Sequence, residues 1–491
     1  MQLAIPLSRS GEPLFRQVYA GIRQAILAGT LRAGERLPST RDLAEQLGIS
    51  RTVVLLAYEH LIAEGFAAGQ AGSGTYVAHE MQAQQGQRGA NAARGTGRNA
   101  GGGAALRLSR YGNAVRDAAG VVDAQRRQDP VPRYDFANGR SDLETFPFAM
   151  WRRLLLRQAR EASVREFDYG SALGNLGLRA AICGHLRRSR AVVCDPEDVI
   201  IMNGSQQALD LVTRVLVEPG ERVAIEDPHY NGAREAFRAA GARLCGVPVD
   251  RDGLDPGSLP DDARIAFVTP SHQFPTGAIL PLERRLALLA WARRRNAVIL
   301  EDDYDGEFRY DGRPLESLQG LDREGRIVYL GTFSRTVFPS LRIGYLVAPR
   351  SLAPALAAAK WLSDLHSSTL EQQTLAEFIE SGLYERHLRR LRRRNTTRRA
   401  ALLEAIGKHL GDRVEVTGDG AGAQVMLWPK EKVSEEAVIQ KAARAGVGIY
   451  SIRHCYLNPD EAQRRPGFVL GYATLNEREI REGIRLLGTA L

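Results

Sequence analysis

Beyond residue 134 the chain alternates two hydrophobic rhythms. Short unbroken apolar runs end in clusters of polar and turn-forming residues, and between them lie longer stretches whose apolar residues recur at three- and four-residue spacing. The segment "DVIIMNGSQQALDLVTRVLV" reads as strand, turn and helix, and "ERVAIEDPHY" as a strand ending in a loop. "RIAFVTPSHQFPTG" and "AVILEDDYDGEF" read as buried strands running into loops, and "RIVYLGTFSR" repeats the plan. Near-continuous Val, Ile and Leu strands with helices between them predict an α/β fold with a mostly parallel sheet covered on both faces. In such sheets ligands bind beyond the carboxyl ends of the strands, where these polar loops fall.

The first 80 residues follow a different pattern. Leu14, Val18, Ile22, Ile26 and Leu27 recur at helical spacing, and Gly29 ends the run. "LPSTRDLAEQLG" predicts a second helix capped by Ser39 or Thr40, with Leu43, Ala44 and Leu47 facing inward before Gly48. A third helix starts at Ser50 and packs through Val54, Leu55, Tyr58, Leu61 and Ile62, and "FAAGQAGSGTYV" predicts a hairpin with a glycine-rich tip. Two helices joined by a short turn, then a hairpin, make a winged helix-turn-helix.

Between the two patterns lie residues 80–133, rich in Gly, Ala, Gln and Arg and poor in large apolar residues. Such a composition cannot offset the entropy of ordering, so a flexible linker is expected. Charge is concentrated there too. Residues 81 to 133 carry nine arginines against three aspartates, whereas residues 1 to 80 carry seven arginines against seven acids, and the whole chain has a net charge of +9. The length of 491 residues implies at least two domains. No run of about 18 apolar residues occurs, so a soluble cytoplasmic protein is expected. Cys183, Cys194, Cys245 and Cys455 form no C-x-x-C pair, and neither a metal site nor a disulfide framework is expected.

On "LPSTRDLAEQLGISRT" and the glycine-rich wing, residues 12–79 resemble the GntR family of DNA-binding domains. The resemblance implies that the third helix enters the major groove of double-stranded DNA with Ser50, Arg51, Thr52 and Val53 near base edges. Arg41 would hold a phosphate, and the wing tip at Gly72 would approach the minor groove.

The strand-end loops resemble, one after another, the cofactor site of fold-type-I aminotransferases, and this resemblance extends from about Asp135 to the C-terminus. It implies a pyridoxal phosphate site in which Gly204, Ser205 and Gln206 seat the phosphate at a helix N-terminus. Tyr230 would stack on the ring, Asp302 would pair with the ring nitrogen and Tyr304 with the phenolic oxygen. Thr332, Ser334 and Arg342 would complete the phosphate cup. In that family the residue after the serine of "GTFSR" is a lysine, because a primary amine is needed to bond the cofactor aldehyde. Here it is Arg335.

A GntR-like module, a linker and an aminotransferase-like domain at 134–491, including a smaller C-terminal α+β subdomain, together resemble the MocR/GabR class of bacterial transcription regulators. The class implies a small-molecule amino effector and a head-to-tail homodimer. Arginine is cationic at any working pH and a poor nucleophile, so residue 335 cannot capture the cofactor covalently. The five lysines are Lys360, Lys408, Lys430, Lys432 and Lys441, and none lies in a loop that the family places at the aldehyde. Three readings stay open: an abandoned cofactor site, non-covalent binding of pyridoxal phosphate or its amine or adduct form, and an introduced lysine-to-arginine change. A pyridoxal-phosphate-dependent aminotransferase with an accessory N-terminal module is the alternative function, and Arg335 counts against it, leaving no catalytic residue to assign. The late strand "GFVLGYATL" carries Val469 where the family places a carboxylate-binding arginine, with Arg453, Arg464 and Arg465 nearby. The arginine row in "YERHLRRLRRRNTTRRAALLEAI" is expected on a solvated or ion-paired helix face.

Overall fold

The computed structural model describes residues 5–8, 11–70, 72–79, 106–118, 131–310, 315–458 and 464–491. Two compact units divide near residue 107.

The first unit contains α1 (Leu14–Leu27), α2 (Thr40–Leu47), α3 (Arg51–Ala63) and an antiparallel hairpin of β1 (Ala67–Gln70) with β2 (Gly74–Val77). The Ser39 hydroxyl accepts from the Asp42 N–H at 3.1 Å to start α2. Gly48, at a left-handed φ of 63°, ends it and turns the chain toward α3. Val18, Ile22 and Ile26 pack against Leu43, Val54, Tyr58 and Leu61, and Ala67 and Val77 close the core. Leu55 and Ile62, expected in that core, are 45% and 42% exposed. The buried stripe on α3 runs through positions 54, 57, 58 and 61, which leaves 55 and 62 on its flank.

Of the stretch expected to be a linker, residues 80–105 and 119–130 lie outside the described residues. Within it, Arg110–Asp117 forms a helix, α4, started by the Ser109 hydroxyl accepting from the Gly112 N–H at 2.9 Å. This helix packs against the segment Asn231–Ala239 of the large unit, so that part of the stretch is built structure.

The large unit is organised by one eight-stranded sheet. After the short strand β3 (Tyr134–Asp135), its members are β4 (Val199–Met202), β5 (Arg222–Asp227), β6 (Arg243–Asp250), β7 (Gly253–Leu254), β8 (Ala263–Val268), β9 (Val298–Asp302), β10 (Ile327–Thr332) and β11 (Gly344–Val347). The order is β4-β11-β10-β9-β8-β5-β6-β7. Strands β7 and β11 run antiparallel to their neighbours, and the other pairs are parallel.

Helices cover both faces, which is why the strands are apolar at nearly every position. On one face Val199, Ile201, Ala266 and Ile299 meet Leu178 and Ile182 of α5 (Leu176–Arg190) and Phe378 of a later helix. On the other, Ile200, Ile225, Phe267, Leu300 and Leu330 meet Leu209 and Val212 of α6 (Ser205–Leu216) and Phe237 of α7 (Asn231–Ala239). The polar ends Met202–Gly204, Asp227–Tyr230, Asp302–Tyr304 and Thr332–Arg335 therefore emerge at one edge.

The smaller C-terminal layer is an antiparallel sheet of β12 (Val414–Thr417), β13 (Gln424–Pro429), β16 (Phe468–Gly471) and β15 (Tyr450–Ser451), and β14 (Val447–Gly448) pairs with β3. The long helix α8 (Leu383–His409) runs into its core through Leu402 and Ile406. Its arginine row is in part ion-paired, as expected, and in part drawn into the interior. Arg398 is buried, donating to Asp142 at 2.7 Å and to the Ala473 carbonyl at 2.6 Å, and Arg392 donates to the Glu307 carbonyl at 2.7 Å. Among the described residues no helix is long and apolar enough to cross a membrane.

Candidate functional site

Two surfaces carry the residues singled out in the sequence. On the first unit, Arg51 opens α3, is exposed, and its Nε donates to the Thr40 hydroxyl at 3.2 Å, tying the start of α3 to the start of α2. Arg41 and Thr52 are exposed, Val53 is half-buried, and Ser50 sits at the N-cap without a side-chain capping bond. Gly72 and Gly74 hold the wing tip at φ of 76° and 123°. Glycine suits both positions because side-chain-bearing residues rarely adopt such positive φ values, and a Cβ at Gly74 would also crowd the Arg36 Nε at 3.0 Å. Arg36 was not among the sequence candidates. It is exposed and joins the wing through a backbone bridge to Tyr76, a pairing between distant segments that no local pattern encodes.

The second surface is the sheet edge, where the predicted loops converge. Gly204, at φ 85°, begins α6, and the Arg342 guanidinium lies where a Cβ would be, 2.5 Å from that position, donating to the Asn203 carbonyl at 2.9 Å. Gly344, opposite Thr332 in the β10–β11 ladder, leaves room for the Gly204 backbone, which a Cβ would approach to 2.9 Å. The Thr332 hydroxyl donates to the Ser334 hydroxyl at 3.1 Å. Backbone amides at a helix start, two hydroxyls and a guanidinium are thus gathered on neighbouring strand ends, a donor set that suits a dianion.

The aromatic groups form the adjoining wall. The Tyr230 hydroxyl is 3.5 Å from the Gln206 amide oxygen, and its ring meets Phe274 edge-on at 5.9 Å. Phe274 in turn meets Tyr304 at 6.0 Å, and the Arg335 guanidinium lies over the Tyr304 ring at 5.5 Å. The Tyr304 hydroxyl is 3.2 Å from His272 Nδ1, which also faces Asp305 at 3.4 Å. Phe274 and His272, in "PSHQFPTG", were not singled out from sequence. The polar turn after β8 was the available signal.

Asp302 ends β9 in the interior. It is buried, and its Oδ1 makes no hydrogen bond. Burial pushes its pKa up to about 7, the neighbouring Asp303 adds to the rise, and Arg335 opposes it. Glu226 is likewise pushed up to about 7 by burial, although it accepts from the Thr269 hydroxyl at 2.6 Å and from Gln273 at 3.2 Å. The same burial raises the Tyr304 hydroxyl well above its ordinary value.

Val469 is buried in β16, between Met426 and Tyr450 on the adjoining strands. Of the nearby arginines, Arg464 pairs with Asp227 at 3.4 Å and lies 4.2 Å over Tyr456, and Arg465 pairs with Glu415 at 2.7 Å. Arg140, from the loop after β3, pairs with Asp135 at 3.2 Å and borders one small recess with Arg335 and Asn395.

Residues 135–487 match the family described as aminotransferase class I and II, and residues 14–77 match the bacterial regulatory proteins of the gntR family. The probable rhizopine catabolism regulatory protein MocR of Rhizobium meliloti is 39% identical, covering 97% of this chain and 94% of that protein. The HTH-type pyridoxine biosynthesis transcriptional regulator PdxR of Corynebacterium glutamicum is 31% identical, covering 95% of this chain and 93% of that protein. Among solved structures, LysN, an α-aminoadipate aminotransferase of Thermus thermophilus complexed with N-(5'-phosphopyridoxyl)-L-leucine, superposes with a TM-score of 0.67 at 32% identity. The match covers 73% of this chain and 92% of that one.

Proposed function

Because the chain belongs to the MocR-type family of bacterial regulators, in which a GntR-family DNA-binding domain is joined to an aminotransferase class I and II domain, we propose that its large domain senses a pyridoxyl phosphate ligand held without a covalent bond. The observation that carries this reading is Arg335 beside an otherwise complete set of ligand contacts.

The residues present fit the cofactor that the fold implies. Asp302 supplies a buried carboxylate oxygen with no partner, suited to a protonated ring nitrogen. Gly204 leaves a cradle that a Cβ would close, and Ser205, Gln206, Thr332, Ser334 and Arg342 would hold the phosphate. Tyr230 would cover the ring face, and Tyr304 would reach the phenolic oxygen. When bound, pyridoxal phosphate supplies an aldehyde and an electron-withdrawing ring. A guanidinium side chain is a poor nucleophile and a poor proton acceptor, so residue 335 neither bonds that aldehyde nor takes up the proton that transamination moves. The pocket then binds and orients without turnover, and the protein acts as a regulator in the cytoplasm rather than as an enzyme.

On DNA, the reading assigns base edges to Ser50, Arg51, Thr52 and Val53, one phosphate each to Arg41 and Arg36, and the minor groove to the Gly72 tip. A head-to-tail homodimer would span two half-sites, with an amino compound or its pyridoxyl adduct as effector. A fluorescence-anisotropy titration of the full chain tests this at physiological salt, on DNA from upstream of its own coding region and on random duplex. Binding to the upstream DNA at least about a thousandfold tighter is expected. Equal affinities would refute the reading.

A further inference from the structure

The pocket's cations differ in one respect. Arg140 is paired with Asp135, Arg398 with Asp142, and Arg342 with the Asn203 carbonyl. Arg335 is half-buried, and among the described residues it makes no ion pair or hydrogen bond. Its guanidinium lies over the Tyr304 ring at 5.5 Å and beside Gly139, where a Cβ would lie 3.6 Å from its Nη1. A half-buried guanidinium that is positioned but unpaired is a vacant recognition element for an oxyanion.

Tyr304 indicates which part of a ligand it would meet. In the reading above, on which this inference rests, Tyr304 serves the phenolic oxygen on ring carbon 3. Its neighbour Arg335 then serves the adjacent substituent, on carbon 4. We propose that Arg335 makes the pocket select pyridoxyl phosphates whose carbon-4 substituent is an anion, with a 4'-carboxylate preferred and a 4'-ammonium rejected. The carboxylate gains a charge-assisted bidentate hydrogen bond, whereas the ammonium meets a like charge at contact distance. No bond is made or broken in the step.

The test titrates the full chain calorimetrically with two probes that cannot react with surface lysines, 4-pyridoxic acid 5'-phosphate and pyridoxamine 5'-phosphate. Wild type is expected to bind the carboxylate at least about tenfold tighter than the amine. Arg335→Met, of similar length and no charge, is expected to bring the two within about threefold, and Arg335→Gln provides the same comparison should the methionine variant not fold. Equal or tighter binding of the amine by wild type would overturn the inference while leaving a pyridoxyl-binding pocket intact. A preference that survives in both variants would show that another residue makes the selection. Failure to bind either probe would overturn the inference together with the function on which it rests.

Discussion

Replacing Asp302 by Asn should make the empty protein more stable and the pocket worse at its task. The carboxyl is buried, and its pKa is pushed from 3.8 to about 7. A raised native pKa means that the folded state holds the proton more tightly than the unfolded chain, so stability falls as the pH rises from about 4 to about 7 and is flat above that. At about 1.4 kcal/mol for each tenfold in proton affinity, the ionised carboxylate costs the fold on the order of 4 kcal/mol at pH 8. That figure is an upper limit for the substitution, because Glu226 and Asp303 share the same field and relax when one charge is removed. An amide of the same shape carries no charge, so Asp302→Asn should gain about 1–4 kcal/mol at pH 8 and almost nothing near pH 4. Tryptophan fluorescence during urea denaturation reads this cleanly, because Trp151, Trp291, Trp361 and Trp428 all lie in the large unit. The same variant should lose affinity for 4-pyridoxic acid 5'-phosphate by at least about tenfold at pH 8, since the ring nitrogen then lacks its carboxylate. An equal gain at both pH values would mean packing, not charge, is responsible. A loss of stability at pH 8 would mean that the buried carboxylate does not cost the fold what its raised pKa implies.

Further expected outcomes concern both surfaces. Arg51→Ala should cost about 1–3 kcal/mol on specific DNA and leave random-duplex affinity nearly unchanged, read by anisotropy. Arg36→Ala should weaken both duplexes alike and lower the slope of log affinity against log salt by about 1, as loss of one phosphate contact does. Gly204→Ala forces a side chain onto a backbone at φ 85° and into the Arg342 guanidinium. It should lower the large unit's stability by about 1–3 kcal/mol and abolish phosphate-dependent ligand binding, read by thermal melts with and without inorganic phosphate.

Much of this architecture was legible because the central strands are buried on two faces. A strand such as "VIIM" has no polar side to hide its period, and the loop chemistry at its end stands out against it. The winged module was legible for the opposite reason, as short helices each buried along one stripe, with α2 bounded by the capping Ser39 and the terminating Gly48. What escaped the sequence depended on contacts between distant segments. Leu55 and Ile62 fit a helical stripe on paper as well as Val54 and Leu61 do, and only the packing of α3 in the folded module decides that Val54 and Leu61 alone of these four are covered. Arg398 sits in a row of outwardly similar arginines, and its burial is set by Asp142, 256 positions away. The helix Arg110–Asp117 is short and weakly apolar, and its docking on Asn231–Ala239 supplies what its own composition does not. At the site, the sequence contains every loop but not the orphaned oxygen of Asp302 or the His272 contact of Tyr304, which arise only when five strand ends meet.

In the proposed reading, Arg335 stands where a covalent anchor would be, in a pocket otherwise able to hold the ligand. Incubating wild type and Arg335→Lys with pyridoxal phosphate, reducing with borohydride and mapping the modified peptides by mass spectrometry tests it directly. Wild type should bind reversibly with no added mass at residue 335, and Arg335→Lys should carry a borohydride-fixed pyridoxyl group at that residue. An adduct fixed on Lys360 in wild type, or none at residue 335 in a folded Arg335→Lys protein, would contradict the reading.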